Sequence, residues 1–155
     1  MDYEDSLAIG VAPRHAFNVL SDLPAMGRLS PENTGGAWLG TTKAPHLGAR
    51  FRGTNSRDGY DWWTIAKVTT YEPPSHFGFE VTWHRFAISR WEFCVEQTPG
   101  GCRVTEKWTD RRNKELRRNG DSAPFHRAEF TKESIRTTLK RLKQICESAT
   151  NDVAP

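Results

Sequence analysis

Hydrophobic and polar residues alternate along this chain with two different periods. Tyr3 to Val11 reads as a short strand next to a proline. Pro13 suits the first turn of a helix, and Ala16, Phe17 and Leu20 space as one helical face. Asp22 suits the cap of a second short helix, ended by Gly27 and Pro31. ENTGG (32–36) reads as a turn, and Ala37 to Gly40 as a short strand.

From there the period is two. Ala49, Phe51, Gly53 and Asn55 alternate with Arg50, Arg52 and Thr54, giving one apolar and one charged face. Ser56 to Gly59 carries the hairpin signal SRDG. Trp62 to Tyr71 is a long strand rich in β-branched residues, closed by Pro73–Pro74. Phe77, Phe79, Val81 and Trp83 alternate, as do Trp91, Phe93 and Val95. After the turn at Pro99–Gly101, Cys102, Val104, Glu106 and Trp108 do the same.

Asp110 to Asp121 is polar and basic, a loop or the approach to a helix. From about Ser122 the helical period returns: Ala128, Ile135, Leu139, Leu142 and Cys146 form a stripe, with Ile145 beside it. The order is strand, two short helices, six antiparallel strands and one long helix of about 25 residues. That is an α+β arrangement whose sheet has one dry face for the helix to cover. One domain over residues 1–150 with a short tail at 151–155 is expected.

Composition adds one anomaly. Six Trp and eight Phe are many for 155 residues. They fill a core or line a cavity, and both readings stand. Buried indoles need hydrogen-bond partners, which makes six in one packed core awkward. Trp62 and Trp63 must point to opposite faces. The net charge of +3 is mild, but Arg103 to Lys143 holds 13 Lys/Arg against 6 Asp/Glu. The basic run Arg111, Arg112, Lys114, Arg117, Arg118 is a solvated loop or a contact for an anionic surface. Acids at Asp110, Glu115 and Asp121 dilute it, which disfavours a nucleic-acid role.

Candidate chemistry is sparse. The five histidines lack metal-ligand spacing, so no metal and no cofactor are expected. His84, at the end of the Trp83 strand, and His126, at the start of the long helix, are surface groups or acid/base groups at a cavity mouth. Asn55 falls on the inward parity, as a turn cap or a polar group in a pocket. Glu96 and Glu106 share a hairpin and read as solvated strand positions. Three irregularly spaced cysteines make no disulfide framework. With no signal-like start and no long apolar run, cytoplasmic residence is the default.

The ordered blocks VAPRHAFNVLSDLPAMGRLSPE (11–32), GGAWLG (35–40), GARFRGTNSRDG (48–59), WWTIAKVTTYEPPSHFGFEV (62–81), SRWEF (89–93), GGCRVTEKWTDRR (100–112) and TTLKRLKQICE (137–147) resemble a known family. The sequence is similar to the START-like (Bet v 1-like, SRPBCC) superfamily, in its actinobacterial polyketide cyclase/dehydrase-like branch. The resemblance implies a helix-grip fold: a curved seven-stranded antiparallel sheet around a long C-terminal helix, enclosing a cavity for hydrophobic ligands. It implies pocket-facing residues at Trp38, Phe51, Asn55, Trp63, Phe79, Trp91, Trp108 and Phe125. Trp83, by its parity with Phe79, and His84 join that candidate ligand-binding set. No inward Arg–Tyr–Ser or Arg–His cluster is legible, since Arg52 and Arg90 fall on the opposite parity. No catalytic residue is assigned.

The expected function is an intracellular binding or carrier protein for a lipid-like or polycyclic aromatic, polyketide-like molecule. The alternatives are a cyclase or dehydratase orienting a poly-keto chain and, less favoured, a basic interaction module. Expected partners are the hydrophobic ligand and, as options, an anionic membrane surface and a second copy in a homodimer.

Overall fold

A computed structural model describes residues 2–151. Seven strands form one antiparallel sheet: β1 (Asp2–Ile9), β2 (Asn33–Trp38), β3 (Arg50–Arg57), β4 (Tyr60–Glu72), β5 (His76–Trp83), β6 (Phe86–Thr98) and β7 (Gly101–Asp110). The spatial order β1-β7-β6-β5-β4-β3-β2 is a meander closed at one edge by the first strand. Helix α1 (Pro13–Leu20) and a 3-10 helix (Leu23–Arg28) connect β1 to β2; α2 (Lys114–Asp121) and α3 (Arg127–Asn151) follow β7. This is the helix-grip arrangement that the family resemblance implies, built from the strands and final helix that the alternation and the amphipathic stripe predict.

Three local expectations change. ENTGG is strand, not turn: Gly35 and Gly36 sit at φ of +119° and +143°, and the β2–β3 register shifts between Asn33 and Gly35. A Cβ on Gly36 would stand 2.0 Å from the Arg52 carbonyl oxygen, so only glycine lets the two strands approach there. The basic run from 114 onward is a helix, because the Asn113 side chain accepts the Leu116 N–H at 2.9 Å and caps it. The long helix starts at Arg127, after Phe125 and His126 have formed a turn on Ser122. The expected tail at 151–155 lies almost wholly outside the described residues.

Register shifts between Val68 and Thr70 and between Val81 and Thr82 bend the middle of the sheet. The bent sheet presents its concave face to α3. Helix α3 meets that face differently along its length. Ile135, Leu139, Leu142 and Cys146 are buried in a continuous core with Ile9, Phe17, Phe77, Phe93 and Val104. Phe17 meets Tyr71 and Phe77 at ring-centroid distances of 5.8 and 6.3 Å. Each fully buried side chain of this kind contributes roughly 1.5–3 kcal/mol. Toward its N-terminus, α3 turns Thr131, Ser134 and Thr138 to the sheet, and there the two layers do not close.

Candidate functional site

The unclosed space is a cavity of about 460 Å³ between the concave sheet face and the first half of α3. That size suits a small organic molecule. Strand alternation supplies its floor. Phe51 and Asn55 come from β3, Phe79 from β5, Trp91 from β6 and Trp108 from β7. Trp83 and Phe125 stand at its rim, 38% and 41% exposed. Seven of the ten residues expected to bind ligand therefore line one space.

The other three do not. Trp63 pairs with Thr54 and shares its outward face, where the Arg52 guanidinium lies 4.6 Å from the ring centroid. Its neighbour Trp62 pairs with inward-facing Asn55 and takes the cavity position instead. Trp38 stands directly across from Phe51, edge to face at 5.4 Å, and covers that ring from the side. His84 occupies the β5–β6 turn at φ +52°, exposed and against the Trp83 and Trp63 rings. His126 is likewise exposed, at φ +42° just before α3.

The rim is built from cations stacked on aromatic faces. Arg127 donates to Glu32 at 2.6 Å and lies 5.6 and 5.5 Å from the rings of Trp62 and Phe130. Arg57 lies over the same Phe130 ring at 3.9 Å and donates to the Phe125 carbonyl oxygen. Tyr60 meets Phe125 edge to face at 5.5 Å. Such contacts hold Arg stems against apolar surface while their charge stays at the edge.

Arg112 belongs to the cavity wall, contrary to its reading as part of a solvated loop. It is 5% exposed. Its Nε and Nη2 donate to the two carboxylate oxygens of Asp110, each at 2.9 Å, and Nη2 also donates to Asp121 at 3.0 Å. Asp121 in turn accepts the Ala128 N–H, capping α3. Burial alone would push the Asp110 carboxyl up, but the Arg112 hydrogen bonds and charge reverse this and hold it below its ordinary value. One guanidinium thus ties the end of β7 to α2 and to the first turn of α3. The rest of the run, Arg111, Lys114, Arg117 and Arg118, is exposed as expected.

Glu106 is the second correction. It is buried, 3% exposed, and lines the cavity, whereas Glu96 on the same hairpin is exposed. Its Oε2 is sealed from solvent without a hydrogen-bond partner. Desolvation pushes its carboxyl well above the usual carboxylate range. The signal was present in the alternation Cys102, Val104, Glu106, Trp108, which sets Glu106 on the buried face. The lining hydroxyls of Thr131, Ser134 and Thr138 were hidden because polar residues on α3 fall outside an apolar stripe.

Other polar groups in the wall have local partners. The Trp91 indole donates to Ser89 Oγ at 3.0 Å, and Asn55 reaches Thr64 Oγ1 at 3.5 Å. Among the described residues, no group of three His, Cys, Asp or Glu is placed to hold a metal ion, and no helix is long and apolar enough to cross a membrane. The three cysteines are free.

Comparison with known proteins gives a consistent picture. The family model described as polyketide cyclase / dehydrase and lipid transport matches residues 2–147. The solution structure of the Polyketide_cyc-like protein Cgl2372 from Corynebacterium glutamicum is similar at 26% identity and TM-score 0.63, covering 98% of this chain and 94% of its own. The di-domain ARO/CYC StfQ from the steffimycin biosynthetic pathway superposes at TM-score 0.76 and 13% identity, over 97% of this chain and 51% of its own. Ara h 8.0201 superposes at TM-score 0.70 and 14% identity, over 96% and 98%. At such identities the last two likenesses concern the fold alone. No curated protein sequence matches the chain significantly.

Proposed function

This chain belongs to the polyketide cyclase / dehydrase and lipid transport family, of START-like (Bet v 1-like) fold, and from that premise we propose that it binds or carries a hydrophobic small molecule. The observation that carries this reading is the ring-lined space of about 460 Å³ under α3. A packed core of this size would leave no such void, because interiors fill to crystal-like density. Trp62, Trp91 and Trp108 line it with large aromatic surface suited to an aromatic or polyketide-like skeleton, and the exposed wall is mostly apolar.

A cyclase or dehydratase is the second reading. It draws on the family description and on Glu106, a carboxyl placed where a substrate would lie. Acid/base work of that kind needs a second polar group within reach of the same reacting atom. Among the described residues none hydrogen-bonds Glu106 Oε2, and Arg112 is engaged by Asp110 and Asp121. Binding is therefore the reading we carry.

The test is native mass spectrometry of the purified protein together with titration of an uncharged apolar fluorescent probe, N-phenyl-1-naphthylamine. A co-purified small molecule, or probe binding abolished by Ser134→Phe in a normally folded variant, supports the proposal. Ser134 lines the cavity on α3, so a phenyl group there occupies the ligand space. Probe binding that survives Ser134→Phe unchanged refutes this location.

A further inference from the structure

Glu106 is a charged residue type in an apolar place, and what surrounds it defines a ligand. It lies in β7 opposite Phe93 of β6 and Asp5 of β1. Across β6, its facing neighbour is a phenyl ring with no charge to offer. On the β1 side, the Asp5 carboxylate is already engaged by the Ser6 N–H at 2.8 Å, the Tyr3 hydroxyl at 3.5 Å and Arg136 of α3 at 3.7 Å. Lys132 of α3 is held over the Tyr3 ring. Helix α1 contributes Ala16, Phe17 and Leu20 to the core, with no charge among them. Further along β7, Arg112 is shared between Asp110 and Asp121.

Among the described residues no cation pairs with Glu106, and none hydrogen-bonds its Oε2. A buried polar atom left unpaired is costly, and natural proteins keep few of them. We propose that the Glu106 carboxyl is the polar anchor of the cavity, donating a hydrogen bond to a carbonyl oxygen of an otherwise apolar, uncharged ligand. This rests on the binding function proposed above and narrows it to keto- or quinone-bearing skeletons.

The chemistry follows from the environment. Burial opposes ionisation of this carboxyl and favours its neutral form. A neutral carboxyl has one O–H to donate, unlike a carboxylate, which only accepts. A hydrocarbon in the cavity leaves that O–H unpaired. A ketone satisfies it. A ligand carboxylate would find the guanidinium groups that line the cavity, Arg112 and Arg127, already engaged by Asp110, Asp121 and Glu32.

The test compares fluorenone with fluorene, rings of nearly the same shape with and without the carbonyl, by quenching of tryptophan fluorescence. The readout is the ratio of their affinities in folded wild type, Glu106→Gln and Glu106→Leu. Wild type and Glu106→Gln, whose amide can still donate, are expected to share one ratio. Glu106→Leu is expected to shift it toward fluorene by about tenfold. Raising the pH through the carboxyl's own titration should move the wild-type ratio toward the Glu106→Leu value and leave Glu106→Gln unchanged. Infrared spectra supply a readout in the unaltered protein: a protonated-carboxyl band at neutral pH, shifted by fluorenone and not by fluorene. The same ratio in wild type and Glu106→Leu, or no protonated-carboxyl band, overturns the anchor while leaving the cavity intact. Failure of wild type to bind either probe overturns the binding function and the anchor together.

Discussion

Replacing Arg112 by Met removes a buried cation from a wall that three elements share. The Asp110 carboxylate it neutralises is 1% exposed and accepts both side-chain hydrogen bonds at 2.9 Å. Arg117 is the nearest substitute, at 3.5 Å from Asp110, but its side chain is 47% exposed and its Nε already donates to the Arg112 carbonyl. Asp121 keeps the Ala128 N–H, so the buried charge that loses its main partner is Asp110, left with the backbone N–H of residue 112 at 3.1 Å and the half-exposed Arg117. Breaking a buried pair from one side costs about 3–5 kcal/mol. For a chain of this length each kcal/mol moves the melting midpoint by roughly 2–4 °C, so a loss on the order of 10 °C is expected. The assay is urea denaturation at neutral pH, followed by tryptophan fluorescence.

The sign of the pH dependence gives a second handle. The folded-state value of Asp110 is lowered, so its stabilising contribution is present above the ordinary aspartate range and disappears as pH falls through the lowered value. The penalty of Arg112→Met should therefore shrink toward acid. Adding Asp110→Asn should recover much of the loss at neutral pH, because the stranded charge is gone. A cost below about 1 kcal/mol, the range of exposed pairs, would refute this account. So would a double variant no better than the single one.

Three further outcomes follow from the same geometry. Trp62→Ala should weaken binding of an apolar probe by about tenfold, the loss of one large contact surface, while Trp63→Ala leaves it unchanged in a fluorescence titration; equal effects would mean the β3–β4 register is misassigned. The raised carboxyl of Glu106 makes the folded state bind a proton that the unfolded chain releases. Without ligand, stability should therefore fall as pH rises from the ordinary glutamate range up to the raised value, by at most about 1.4 kcal/mol per pH unit. Glu106→Gln should lack that slope in chemical denaturation across pH. Iodoacetamide should label Cys94 alone in the native protein, since Cys102 and Cys146 are fully buried and burial pushes the Cys146 thiol up to about 11. Mass-spectrometric detection of all three labels would contradict the packed half of the α3 contact.

Much of the architecture is legible in the sequence, because its causes are local. A side chain's face on a strand depends only on counting by two, so the sequence sets Phe51 with Asn55, Phe79 with Trp83 and Trp91 with Phe93 on common faces, as the sheet has them. The amphipathic stripe of α3 was legible by counting in threes and fours. The Gly35–Gly36 pair reads as a turn because a glycine pair signals one by itself; only the approach of Arg52 across the sheet shows that it serves a strand.

Depth is different from face. Trp62 and Trp63 have the same composition and the same strand, and pairing across the hairpin with Asn55 and Thr54 chose between them. Glu106 stands on the inward face by parity, yet a carboxylate is cheapest in water, and only the tertiary structure shows its Oε2 sealed from solvent. Arg112 looked like its basic neighbours until Asp110 and Asp121 converged on it from separate elements. The alternation along the chain thus determined which side of each strand meets the helix. The curvature of the sheet decided how far away the helix would stand. That distance separates the packed half of α3 from the half that leaves a cavity, since burial depends on what lies opposite and a local pattern records only direction.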